Sequence, residues 1–265
     1  MIRVISASLL SALALGSVIS AQSRGARTDA ASCQDEWRAS YCEVREDSFA
    51  SQGTLDVDAS PNGGISVRGS DRADVRIRTR ITARADSDAA ARSLASQVRV
   101  VINGSHIRAE GPPQRDNENW SASFEIDAPR NERLQLTARN GGIAVNNIDG
   151  YGRFTTTNGG IALSNVSGDL QGETVNGGIA VNLSAPTLTG AGLSFETRNG
   201  GITLSVPRSF GAQLEASTVN GGVSSDFPVA QTAGNRSRRI VATLGAGGAP
   251  LHLTTVNGGI RISRR

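Results

Sequence analysis

The residues able to do chemistry in this chain are few and widely spaced. Its two histidines, His106 and His252, lie far apart in strand-like surroundings and read as surface residues. Glu173 and Glu196 each sit three residues before an Asn-Gly-Gly motif, outward by strand parity, so they could stack in one column. Two carboxylates on one groove are what glycoside cleavage needs, but a solvated outer face explains this column more simply. Arg236, Arg238 and Arg239, with Arg261, Arg264 and Arg265, could form a patch for an anionic glycan or lipid headgroup. Charge that caps an exposed stack end is the favoured reading of these six. Cys33 and Cys42 are the only cysteines, and their C-x8-C spacing fits neither zinc ligation nor a C-x-x-C redox pair. In an exported chain a disulfide between them is expected, closing too short a loop to brace a whole domain. No nucleophile elbow, zinc motif or phosphate loop occurs, and Gly190-Ala191-Gly192 lacks the rest of a dinucleotide fingerprint. No catalytic residue, metal or cofactor is expected.

The elements that would position these residues are announced by a repeat. Asn-Gly-Gly begins at Asn62, Asn140, Asn158, Asn176, Asn199, Asn220 and Asn257, with steps of 18, 18, 23, 21 and 37 residues from Asn140 on. Counting from each Asn, positions −6 and −4 are mostly Leu or Phe, position −2 is Thr in five copies, and +3 and +5 are mostly Ile, Val or Leu. Alternation on both sides of the motif marks strands with one face inward, and the parity change across it marks a bend. Gly-Gly suits a bend that needs positive φ. Two folds fit: an antiparallel meander with hairpin tips at the motif, or a parallel solenoid with corners there. The solenoid is favoured, because its successive copies lie about 4.8 Å apart and identical residues touch. Stacked Asn would then form a ladder, and stacked Thr would make cross-strand contacts. The turns carry no Asp where calcium-binding glycine repeats place one, so they lack hard oxygen ligands.

The copy at Asn62 has its apolar residues, Leu55 and Val57, at −7 and −5 and falls out of phase. It is assigned to an irregular half, residues 51–130, set against regular repeats over 131–265. Asp86-Ser87-Asp88 before an Ala-rich run predicts one short helix near 87–97. The step from Asn220 to Asn257 reads as a degenerate rung with a surface loop.

Composition agrees with an all-β exported chain. Aromatics make up 4% of 265 residues, so the core must be aliphatic. Arg3 followed by an apolar run and Ser20-Ala21-Gln22 predicts a signal peptide over 1–21, leaving no transmembrane span in the mature chain. Its loss would lower the formal charge of +3 by one, which calls for no nucleic-acid partner. Residues 22–50 read as a leader, flexible over 22–32 and carrying the cysteine pair.

The Thr-x-Asn-Gly-Gly-Ile-x-Val units, the Gly63–Gly69 segment and the Gly247–Ile260 segment resemble an adhesin-like family of bacterial β-strand-repeat proteins, related to autotransporter adhesin head (GIN) domains. The resemblance covers roughly residues 51–265 and transfers no catalytic residue. It implies a right-handed single-stranded parallel β-helix on an exported protein, periplasmic or at the cell surface. The expected function is a non-enzymatic binding or scaffold module, with an envelope glycan or another surface protein as partner. A carbohydrate-active enzyme on the same helix, and an envelope protein assembling end to end, are the alternatives.

Overall fold

Alternating apolar residues turn most of the described residues into strands, and matching columns stack them. The computed structural model describes residues 22–27, 40–188, 190–228 and 238–265; of residues 22–27 only the backbone is described. In chain order the elements are β1 (Gln22–Arg27), β2 (Ser40–Ala50), β3 (Thr54–Asp58), β4 (Ile65–Ser70), β5 (Asp74–Arg84), α1 (Asp88–Gln97), β6 (Arg99–Asn103), β7 (His106–Glu110), β8 (Asn119–Pro129) and β9 (Arg133–Asn140). They continue as β10 (Ile143–Asn146), β11 (Asp149–Asn158), β12 (Ile161–Asn176), β13 (Ile179–Leu183), β14 (Leu193–Asn199), β15 (Ile202–Val206), β16 (Ala212–Asn220), β17 (Val223–Ser225), β18 (Arg239–Leu244), β19 (Pro250–Asn257) and β20 (Ile260–Arg264).

The strands form a curled sheet with two layers around a shared aliphatic core. One layer runs β1-β2-β5-β8-β4-β10-β12-β13-β15-β20-β17. The other runs β6-β7-β3-β9-β11-β12-β14-β19-β16-β18. The first half of the long β12 belongs to one layer and its second half to the other. In the repeats, like pairs with like in parallel: Ile143 with Ile161, Ile161 with Ile179, Ile179 with Ile202, and Ile202 with Ile260. That register excludes the meander there. Antiparallel pairing is confined to the β1-β2-β5-β8 end of the first layer and to the two ends of the second, β6-β7 and β16-β18.

The path of the chain departs from expectation at three places. Asn62 is not outside the stack: it bridges Asn140, with Leu55 opposite Leu134 and Val57 opposite Leu136. Asp58 pairs with Thr137, so one extra residue within 59–61 absorbs the phase shift. Residues 40–50 are not leader but β2, paired with β5 along its full length, and residues 22–27 pair antiparallel with β2. The 37-residue step is not a degenerate rung. β18 turns back antiparallel on β16, and the chain then slots β19–β20 between β14–β15 and β16–β17. In space the motif order is therefore 62, 140, 158, 176, 199, 257, 220.

Each motif turns the chain from one layer to the other. At the opposite corner Asn147 and Asn165 adopt φ of 59° and 53°, a conformation Asn tolerates. Asn165 Nδ2 donates to Asn147 Oδ1 at 2.5 Å and Ser167 Oγ to Asp149 Oδ1 at 2.7 Å, while Ile148 and Val166 plug the core beneath them. Inside, Phe154 takes space left by Gly152 of its own strand, and Phe195 takes space left by Gly172 of the adjacent rung. A Cβ on Gly152 would meet the Phe154 ring at 2.4 Å, and one on Gly172 would meet Phe195 at 2.7 Å. These two glycines replace the usual Leu in their columns for that reason.

At the antiparallel end, α1 starts at Ser87, whose side chain accepts from Ala90 N–H at 3.2 Å. Ala91, Leu94 and Ala95 form its buried stripe. Beside it β2 turns Glu43, Arg45 and Asp47 inward, with Arg45 paired to Glu43 and donating from Nη1 to Val98 O at 2.7 Å. Burial pushes the Asp47 carboxyl above the ordinary carboxylate range, against the opposing pull of Arg45. A raised folded-state value costs stability once pH exceeds it. Asp47→Asn should therefore raise the thermal midpoint at neutral pH, and the gain should shrink as pH falls toward about 4; thermal unfolding across that range measures it.

The motif glycines answer to space rather than to φ. Only Gly63 among them has positive φ, at 152°. A Cβ on the first glycine of every motif would fall 1.9 to 2.1 Å from a backbone carbonyl oxygen of the adjacent strand. On the second glycine of the Asn158 motif, Gly160, the nearest atom would be 3.1 Å away. Gly159→Ala should cost about 3 kcal/mol and Gly160→Ala about 1 kcal/mol, read as shifts in the urea midpoint at constant slope.

Candidate functional site

The seven motif asparagines share one edge of the molecule and form a single hydrogen-bonded ladder. Asn140 Nδ2 donates to Asn62 Oδ1 at 2.9 Å. Asn158 donates to Asn140, Asn176 to Asn158, Asn199 to Asn176, Asn257 to Asn199 and Asn220 to Asn257, each at 2.8 Å. Every amide points the same way, so each inner residue both donates and accepts. Below the ladder the Thr column is buried. Its hydroxyls do not contact one another, as the sequence suggested; each donates to a glycine carbonyl of the preceding rung. Thr156 bonds Gly141 O, Thr174 Gly159 O, Thr197 Gly177 O, Thr255 Gly200 O and Thr218 Gly258 O, all at 2.8 Å. The hydroxyl supplies a partner to a carbonyl at the crowded corner.

Beside the ladder, the outer face of the β4-β10-β12-β13-β15 layer carries only small side chains in the strip next to the corner. The second motif glycines and the column Ser66, Ala144, Ala162, Ala180 and Thr203 floor an open groove of 670 Å³. Ser123, Glu125 and Arg80 bound its β8–β5 end. Arg78 reaches Glu125 at 3.3 Å, whereas Arg80 makes no ion pair among the described residues.

The structure brings some sequence-chosen residues together and separates others. Glu173 and Glu196 are direct register partners, continued by Thr155 and Thr254, on the outer face of the other layer. The cleft there, of 90 Å³, lies between Arg153, Gln171 and the two carboxylates. The described arginines are spread over both layers. Arg239 lies on β18 opposite Ser217 and pairs with Glu215 at 2.7 Å. Arg261 lies in the other layer, between Thr203 and Ser224. Arg264 stacks over the Phe227 ring at 5.1 Å, and Arg265 donates to Leu183 O. Arg238 is exposed, and Arg236 lies outside the described residues. Sequence neighbours were grouped that the sheet sends to different faces.

His106 Nδ1 lies 3.0 Å from Asp56 Oδ2, and His252 Nδ1 lies 3.6 Å from Glu215 Oε2, both on exposed strand faces. Cys42 is buried in β2, while Cys33 and residues 1–21 fall outside the described residues. Among the described residues no group of three or more His, Cys, Asp or Glu could hold a metal, and no helix is long and apolar enough to cross a membrane.

Asn176→Ala removes two ladder bonds, and Asn220→Ala at the end of the stack removes one. The first should cost about 1–2 kcal/mol and the second about half of that, measured by urea unfolding. Equal losses would mean that the bonds in the ladder do not carry the effect.

Among curated proteins, none matches the sequence. Solved structures that resemble the fold include a candidate cell adhesion protein of Clostridium sporogenes, 11% identical, covering 84% of this chain and 100% of that one, with a TM-score of 0.44. A candidate adhesin of Bacteroides fragilis is 12% identical, with 84% and 97% covered and a TM-score of 0.36. A candidate lipid-binding protein of Parabacteroides distasonis is 11% identical, with 84% and 96% covered and a TM-score of 0.30. The family model described as Toastrack DUF4097 matches residues 50–263, and the chain belongs to that family.

Proposed function

We propose that this chain is an exported, non-enzymatic scaffold of the cell envelope that binds a partner along the small-residue face beside the Asn ladder. The observation that carries this reading is the groove itself: a side-chain-poor floor spanning five parallel strands, beside an edge of seven amides. A surface of this kind can take an extended glycan or a flat protein face without moving side chains out of the way. The reading places the protein in the periplasm or at the cell surface, with a signal peptide over 1–21 and a Cys33–Cys42 disulfide. It takes the coil to be right-handed, as parallel strands joined by crossovers generally are.

One observation favours a second reading. Glu173 and Glu196 are register partners on one outer face, and paired acids cleave glycans. The cleft between them is far smaller than the groove beside the ladder, which weighs against it.

The test uses the protein matured in its own cells. Fractionation should place it in the envelope, with residues 1–21 missing from its N-terminus and with two thiols appearing only after reduction. Ala162→Arg, on the exposed groove floor, should weaken retention by isolated envelope at least about tenfold and leave the thermal midpoint unchanged. Undiminished retention would exclude the groove. Glycan cleavage lost in Glu173→Gln would establish the enzyme instead.

A further inference from the structure

Eight Asn-Gly sequences occur in the chain: the seven motifs and Asn103-Gly104 in the hairpin between β6 and β7. This dipeptide is chemically labile. The glycine amide nitrogen attacks the Asn side-chain Cγ, a C–N bond forms, and the side-chain amide leaves as ammonia. Water then opens the five-membered imide at either carbonyl, giving aspartate or isoaspartate. No electrons are exchanged, and water is the only co-reactant. The reaction needs a free glycine N–H, a side chain able to swing over it and a backbone able to rotate.

Six motifs deny all three. The glycine N–H donates to the backbone carbonyl of the next Asn in the stack: Gly63 to Asn140 at 3.2 Å, Gly141 to Asn158 at 3.0 Å, Gly159 to Asn176 at 3.0 Å, Gly177 to Asn199 at 3.1 Å, Gly200 to Asn257 at 3.0 Å and Gly258 to Asn220 at 3.1 Å. The Asn side chains above them are held in the ladder. Asn220 ends the stack. Among the described residues Gly221 N–H meets no acceptor, and no further Asn donates to the Asn220 side chain. Its strand β17 is held to β20 through three register pairs only.

We propose that Asn220 is a site of spontaneous, structure-directed deamidation, and that the ladder shields the other six motif asparagines from the same reaction. Asn103, at an ordinary hairpin tip, has no such shield. Conversion at 220 replaces the Nδ2–H donor with a carboxylate oxygen facing Asn257 Oδ1, where a 2.8 Å bond had been. Two acceptors then face each other, the last ladder link is lost, and a negative charge appears at the end of the stack. The isoaspartate product also lengthens the corner by one backbone atom, against a three-residue pairing with little to resist it. The site depends only on the stacking order and not on the proposed binding function.

The test is peptide mapping by mass spectrometry of the folded protein held in mildly alkaline buffer, beside the same protein in urea. In urea all eight sites should convert at comparable rates. In the folded protein Asn103 and Asn220 should keep their rates, while the six shielded sites slow by about tenfold or more, because each must first open locally. Amide hydrogen exchange at Val223–Ser225 should rise as Asn220 converts, and Asn220→Asp should reproduce that rise without ageing. Equal conversion at all seven motif sites in the folded protein would overturn the proposal. So would an Asn220 that stays intact while Asn103 converts.

Discussion

At each Asn-Gly-Gly corner backbone lies directly against backbone, and the rest of the stack depends on that contact. A carbonyl oxygen of one strand occupies the space where the Cβ of the next motif's first glycine would stand. Only glycine permits this approach. Once it is made, the remaining spacings follow: glycine N–H to Asn carbonyl, Thr hydroxyl to glycine carbonyl, Asn amide to Asn amide. Three sets of hydrogen bonds thus fix one register, and a register slip would break them together and turn the Leu, Phe and Ile columns outward. The apolar core supplies most of the stabilisation; the corner decides which arrangement of that core is unique.

This division explains what the sequence disclosed. The columns from Leu134 onward, the parallel stacking and the ladder were legible because identical residues recur where they touch. Asn62 was misplaced because one extra residue within 59–61 shifts its parity, while its corner still joins the stack. β2 read as leader because Glu43, Arg45 and Asp47 face inward, so the strand carries charge where a pattern search expects apolar residues. The insertion of β19–β20 was invisible, since the Asn257 motif is the same as its neighbours and nothing in it records which two strands it enters between. The role of the glycines was misread for a related reason. Positive φ is a local property, whereas the crowding that selects glycine comes from another rung.

The candidate site was less legible than the fold. The small residues at the second motif glycine and at Ala144, Ala162 and Ala180 were visible as repeats, but their meeting as one open groove requires the two-layer geometry. Glu173 and Glu196 did fall in one column, because they share a motif position. The described arginines fall in both layers, because alternate residues of a strand face opposite ways and the chain crosses between layers.

The order of the last rungs tests this account most directly, since sequential winding and insertion use the same residues and predict different neighbours. Ser194, His252 and Glu215 lie on the exposed face, with His252 opposite both others. Adjacent strands place paired Cα atoms about 4.8 Å apart, within disulfide reach, whereas Ser194 and Glu215 would be roughly 9–10 Å apart. Cysteines introduced in pairs and oxidised in the folded protein should cross-link 194 with 252 and 252 with 215, but not 194 with 215. A cross-link between 194 and 215, without one between 194 and 252, would show that the rungs stack in chain order and would contradict the account.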